Sequence, residues 1–169
     1  MENIKVTFGG NPVTLLGNQI KVGDKAPNFS ATDTSLKDVS LSDFDGKLKL
    51  ISIFPSVDTS VCSIQNHKFN SQAAEFGDKV AFIAISNDLP FALKRFCGAE
   101  GINNLTTLSD HKNVEFGLKY GYLISELRLL ARGVVVLDKE NVVKYVEFVP
   151  EIATEPDYDK AIEALKKLL

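Results

Sequence analysis

The chain has 169 residues, 44% apolar and 24% charged, with a net charge of −3. A chain of this length buries roughly 70% of its unfolded surface, reads as one domain over residues 1–169, and needs neither disulfide nor metal to fold. The acidic balance and the lack of a Lys/Arg stripe argue against nucleic acid as a partner, and no apolar run approaches the ~20 residues of a membrane span.

In chain order, Met1-Glu2-Asn3-Ile4-Lys5 lacks the basic and apolar segments of a secretory signal, so a cytoplasmic protein is expected. Lys5 to Phe8, Gly9-Gly10-Asn11 and Pro12 to Leu16 predict a β-hairpin, an N-terminal extension over 1–22. Asp33 to Asp45 is polar and turn-rich and reads as a surface excursion anchored by Val39, Leu41 and Phe44. Leu48 to Ile53 is an apolar run of strand length. Phe54 to Val61 then forms a loop, and Ile64 to Phe76 carries Phe69, Ala73 and Phe76 at helical spacing.

Val80 to Ser86 predicts a strand buried on both faces. Phe91 to Gly98 predicts a short helix opened by Pro90 and ended by Gly98, with Leu93, Phe96 and Cys97 on one face. Leu105 to Ser109 reads as a strand, Val114 to Tyr120 as a helix stopped by Gly121, and Gly133 to Leu137 with Val142 to Val149 as a hairpin. Thr154-Glu155-Pro156-Asp157 opens a last helix with a capping-box pattern, and Tyr158, Ile162, Leu165 and Leu169 form its packing stripe. Strands alternating with helices, then a hairpin and a closing helix, predict a three-layer α/β sandwich with a mixed sheet.

The chemistry centres on Cys62. Pro55 ends the strand, Thr59 and Ser60 are helix-capping types, and Cys62 falls in the first helical turn. A free thiol is mostly protonated at neutral pH, but the unpaired N–H groups and positive dipole end of a helix favour the reactive thiolate. Thr59 can aim its hydroxyl at the sulfur, and Pro55 can shield it from water. A buried cysteine acting as a small hydrophobe is the plainer reading. Cys97 likewise reads either as a packing residue or as a second redox thiol. The number and spacing of the two cysteines exclude a C-x-x-C motif and a four-cysteine zinc site, and no cofactor is called for. Arg132 directly precedes a buried-looking strand, whereas Arg95 and Arg128 lie on segments of surface character. Asp58, His67, His111, Glu151 and Glu155 have no motif around them and read as solvated or capping groups.

The combination Pro55-x-x-x-Thr59-x-x-Cys62 after a core strand resembles the active-site loop of the peroxiredoxins. Asp88 to Ala92, Arg95 to Gly101, Leu130 to Val136 and Thr154 to Tyr158 are similar to the thiol peroxidase branch of that family. The resemblance implies a thioredoxin-like core preceded by an N-terminal hairpin. It also implies a thiol-dependent peroxidase acting on hydrogen peroxide and organic hydroperoxides. In that reading Cys62 is the nucleophile, Pro55, Thr59 and Arg132 are its active-site companions, and Cys97 resolves the sulfenic acid as an intrachain disulfide. Thioredoxin as reductant and a homodimeric state are implied with it. A redox relay using the same cysteines, and a thioredoxin-fold binding module whose cysteines only pack, are the alternatives.

Overall fold

The computed structural model describes residues 4–169; the reading of Met1, Glu2 and Asn3 lies outside the described residues. A hairpin of β1 (Val6–Phe8) and β2 (Asn11–Val13) comes first. Its turn residues Gly9 and Gly10 both have positive φ, 60° and 83°, as the twist of a two-residue hairpin demands and as glycine adopts freely. Then follow β3 (Leu15–Leu16), β4 (Ser30–Asp33), β5 (Asp38–Ser40), β6 (Leu48–Ile53), α1 (Ser60–Phe76), β7 (Val80–Ser86) and α2 (Pro90–Glu100). The remainder comprises β8 (Thr106–Ser109), α3 (Glu115–Tyr120), β9 (Leu123–Ile124), β10 (Gly133–Leu137), β11 (Val143–Phe148) and α4 (Tyr158–Lys166).

Among the described residues, seven strands form one mixed sheet in the order β11-β10-β6-β7-β8-β4-β5. β6, β7 and β8 are parallel, and their crossovers are supplied by α1 and α2; the outer strands pair antiparallel. Every residue of β6 and β7 is buried, as a central position covered on both faces requires. On one face Leu50, Phe82, Val134 and Val136 pack with Phe69 and Ala73 of α1 and with Ala161, Ile162 and Leu165 of α4. On the other, Ile51, Ile83, Ile85 and Val135 pack with Phe116 and Tyr120 of α3 and with Phe29. Sheet and helices thus make the expected three layers. A fully buried side chain such as Phe69 contributes about 1.5–3 kcal/mol, more than an exposed ion pair at about 0–1, so packing fixes α1 against the sheet.

The structure corrects the sequence reading at several places. Leu15 and Leu16 leave the N-terminal hairpin and pair as β3 with β9. The supposed excursion over Asp33 to Asp45 contains β5, which pairs with β4 at the edge of the main sheet. α2 runs through Gly98 to Glu100 and stops at Gly101, which takes the left-handed conformation at φ 68°. α4 is capped by Asp157, whose side chain accepts from the Lys160 N–H, rather than by Thr154, and Leu169 is exposed beyond its end.

Asp110, between β8 and α3, is almost fully buried and accepts from the Phe116 and Gly117 N–H groups at 3.0 and 2.8 Å. Burial outweighs those donors and pushes its pKa up to about 6. A carboxyl whose folded pKa is raised contributes stability fully below its unfolded value of ~3.9 and loses that contribution as pH rises through the folded value. Urea unfolding of the wild type, referenced to Asp110→Asn, should therefore show roughly 2 kcal/mol less stability at neutral pH than near pH 4. A pH-independent difference would contradict the assignment.

Candidate active site

β6 delivers Phe54 and the buried Pro55, and the chain turns through Ser56 to Asp58 into α1. Pro55 cannot extend the ladder, so the strand ends there. Thr59 is the N-cap of α1: its backbone is extended, and its Oγ1 accepts from the Cys62 N–H at 3.3 Å. Its single hydroxyl proton faces two acceptors, Cys62 Sγ at 2.7 Å and Ser56 O at 3.2 Å. Cys62 is fully buried, in a small apolar cluster with Phe54, Val57, Ala84 and Leu93.

Arg132 reaches the same sulfur from the start of the neighbouring strand, β10, where Gly133 pairs with Ile53 of β6. It enters β10 beside Gly133, where a Cβ would lie 2.1 Å from Glu147 O and 2.6 Å from the Tyr122 ring, so only glycine fits. The guanidinium is buried and makes three directional bonds: Nε donates to Ile152 O at 2.6 Å, Nη1 to Gln65 Oε1 at 2.8 Å and Nη2 to Cys62 Sγ at 3.3 Å. Of its acceptors, only the sulfur can carry a full negative charge. No carboxylate lies within ion-pair distance of Arg132 among the described residues, so its charge is directed at the Cys62 sulfur and two neutral oxygens.

Two supports behind the arginine escaped the sequence reading. Gln65 is buried, and its Nε2 donates to Ser52 Oγ at 2.8 Å and Ile53 O at 3.2 Å, which fixes the amide oxygen toward Arg132. The available signal was a polar residue three positions after Cys62 on the inner stripe of α1, which also includes Asn66, Phe69 and Ala73. Glu151, read as solvated, instead accepts from Thr7 Oγ1, the Gly9 and Gly10 N–H groups and the Ala153 N–H, at 2.7–3.1 Å. The N–H groups of Ala153 and then Gly10 hold its pKa down to about 2. With Thr7 N donating to Pro150 O and Ile152 N to Thr7 O, it pins the N-terminal hairpin to the segment whose Ile152 carbonyl holds Arg132.

The structure therefore brings Thr59, Cys62 and Arg132 together, with Pro55 buried in the loop before them and Cys97 outside this set of contacts. Both thiols are free; Cys97 is half-buried in α2, with its sulfur 3.4 Å from Thr107 Oγ1 of β8. Arg95 and Arg128 are exposed, and Asp58 faces Arg95 at 3.7 Å. His67 pairs with Glu100, and His111 with Ser109. A cleft of about 390 Å³ between the start of α1 and α2 reaches Thr59, Ser60 and Ser63 on one wall and Arg95 and Phe96 on the other. The larger cavity, about 740 Å³ beside Lys68, Gln72 and Tyr158, is lined by neither cysteine.

A buried, donor-flanked cysteine at a helix start, on a mixed sheet layered between helices, defines a thiol-based redox enzyme. Residues 21–162 match the Redoxin family. The chain is 53% identical over 163 residues to a thiol peroxidase of Listeria innocua serovar 6a, covering 96% of this chain and 98% of that one. It is 51% identical over 165 residues to a thiol peroxidase of Bacillus subtilis strain 168, covering 98% of each. Among solved structures it resembles a peroxiredoxin-like protein from Aquifex aeolicus at TM-score 0.92 and 39% identity, over 99% of this chain and 98% of the other. The chain belongs to the Redoxin family, within its thiol peroxidase branch, and its fold is thioredoxin-like. It is accordingly a thiol-dependent peroxidase. No helix among the described residues is long and apolar enough to cross a membrane.

Proposed function

We propose that the chain reduces hydrogen peroxide and organic hydroperoxides with Cys62 as nucleophile and Cys97 as resolving thiol, and that thioredoxin reduces the resulting intrachain disulfide. The observation that carries this reading is the convergence of Thr59 Oγ1 and Arg132 Nη2 on Cys62 Sγ, at 2.7 and 3.3 Å. The thiolate attacks one peroxide oxygen: an S–O bond forms, the O–O bond breaks, and the leaving oxygen takes a proton and departs as water or an alcohol. The same two donors meet the charge that develops on the oxygens, with Pro55 excluding water behind them. Peroxide enters by the cleft that borders Thr59.

Cys97 then attacks the Cys62 sulfur; the S–S bond forms, the S–O bond breaks, and water leaves. A disulfide needs Cα atoms within about 7 Å. The two thiols are unbonded, Cys62 in the first turn of α1 and the Cys97 sulfur against Thr107 Oγ1 of β8. Resolution therefore unwinds the first turn of α1 and shifts the Cys97 end of α2. Hydrogen exchange should be faster at residues 60–66 and 92–99 in the disulfide form.

Cys97→Ser tests the assignment: the first oxidation should keep its wild-type rate while thioredoxin-linked turnover falls to background. Normal recycling in that variant would place resolution elsewhere. The reading extends to a single domain over 1–169 acting as a homodimer in the cytoplasm, and sedimentation velocity tests the dimer.

A further inference from the structure

We propose that Asp88 is a positioning residue that locks the loop before Cys62 in its reactive form; this rests on the peroxidase reading above. Asp88 lies two residues before Pro90, the first residue of α2. The structure places the cap one residue later, at Leu89, with no side-chain cap bond, and turns the Asp88 carboxylate away from the helix. Oδ1 accepts from Ser56 Oγ at 2.8 Å. Oδ2 accepts from the Val57 N–H at 2.9 Å and from Ser86 Oγ at 2.7 Å.

The other side of Asp88 is held by the sheet. Its N–H donates to Ser86 Oγ at 3.3 Å, and its carbonyl accepts from Ser109 Oγ at 2.5 Å, so the ends of β7 and β8 fix its backbone. The loop in turn closes on Ser56: the Thr59 N–H donates to Ser56 O at 3.2 Å, and the Asp58 N–H donates to Ser56 Oγ at 3.2 Å, which leaves the Thr59 hydroxyl proton for the nearer sulfur. The path from the rigid sheet to the sulfur is thus Asp88 to Ser56 to Thr59 to Cys62. Without the carboxylate, Ser56 and Val57 lose their acceptors and Thr59 is free to drift from the sulfur, and misplacement by about 1 Å can cost roughly a hundredfold in rate. The same release favours the unwinding that disulfide formation requires. Asp88 also lies two residues before the helix that bears Cys97, so one side chain joins the two cysteine segments.

The two chemical steps should therefore respond differently. In Asp88→Ala, stopped-flow oxidation of Cys62 by hydrogen peroxide should slow by about tenfold or more, while conversion of the sulfenic acid to disulfide is as fast as in wild type or several-fold faster. Asp88→Asn, which keeps one oxygen acceptor, should recover part of the oxidation rate. Hydrogen exchange at residues 57–63 of the reduced variant, measured without peroxide, should rise, and this readout stands whether or not the peroxidase reading does. Ser56→Ala removes one arm of the lock and should show the same split at smaller amplitude, which decides the matter if Asp88→Ala does not fold. An unchanged oxidation rate in folded Asp88→Ala, or equal slowing of both steps, would overturn the proposal. Unchanged exchange at residues 57–63 would overturn it as well.

Discussion

Cys62→Ser should consume no peroxide above background while keeping the wild-type fold. Serine is close to cysteine in size, and its Oγ can accept from both Thr59 and Arg132, so the buried cluster with Phe54, Val57 and Leu93 loses little packing. What it loses is the reaction. A serine hydroxyl is far less acidic and less nucleophilic than a thiol, and it cannot pass to the sulfenic state. Peroxide consumption, thermal unfolding and near-UV circular dichroism measured together separate the two effects. Turnover comparable to wild type in the variant would remove Cys62 from the chemistry.

Arg132→Ala carries the second large effect. The guanidinium supplies a charged donor to the sulfur, and losing one preorganised donor of this kind costs on the order of a hundredfold in rate or more. It also leaves Gln65 Oε1 and Ile152 O buried without their partner, at about 1–3 kcal/mol each, so the melting temperature should fall as well. Arg132→Lys distinguishes charge from geometry. One ammonium group cannot serve three acceptors placed around a planar fork, so lysine should restore only a small part of the oxidation rate. Thr59→Val should slow the same step by at least about tenfold with a smaller change in stability, since Thr59 is only half-buried. Full recovery by lysine would mean that a point charge suffices and that the fork orients nothing.

What could be read from the residues follows the range of the interactions. The strand, loop and helix around Cys62 are local: an apolar run, a proline that ends it and a threonine that caps the next helix are adjacent in sequence. Arg132 was singled out by its place before a buried strand and by family resemblance, not by any contact that the sequence displays. Nothing local marks Gln65, Asp88 or Glu151 as a support of the site, because each looks ordinary in its own segment. Their partners, Arg132 for the first, Ser56 and Val57 for the second and the Gly9-Gly10 turn for the third, come from distant parts of the chain. The same holds for β3 and β9, two-residue strands too short to announce themselves, whose pairing depends on the folded body between them. Gly98 misled the boundary of α2 because glycine inside a helix costs only about 1 kcal/mol, which the tertiary setting overrides, whereas Gly101 takes the left-handed conformation that ends the helix.

The most direct test of the central claim is intact-mass analysis of the reduced chain after one equivalent of hydrogen peroxide, followed by non-reducing peptide mapping. The expected result is a monomeric mass lower by two hydrogens, with a single linked peptide joining Cys62 to Cys97. In Cys97→Ser the same treatment should instead add one oxygen, located on Cys62. An unchanged mass in the wild-type chain, or oxygen added first at Cys97, would contradict the account.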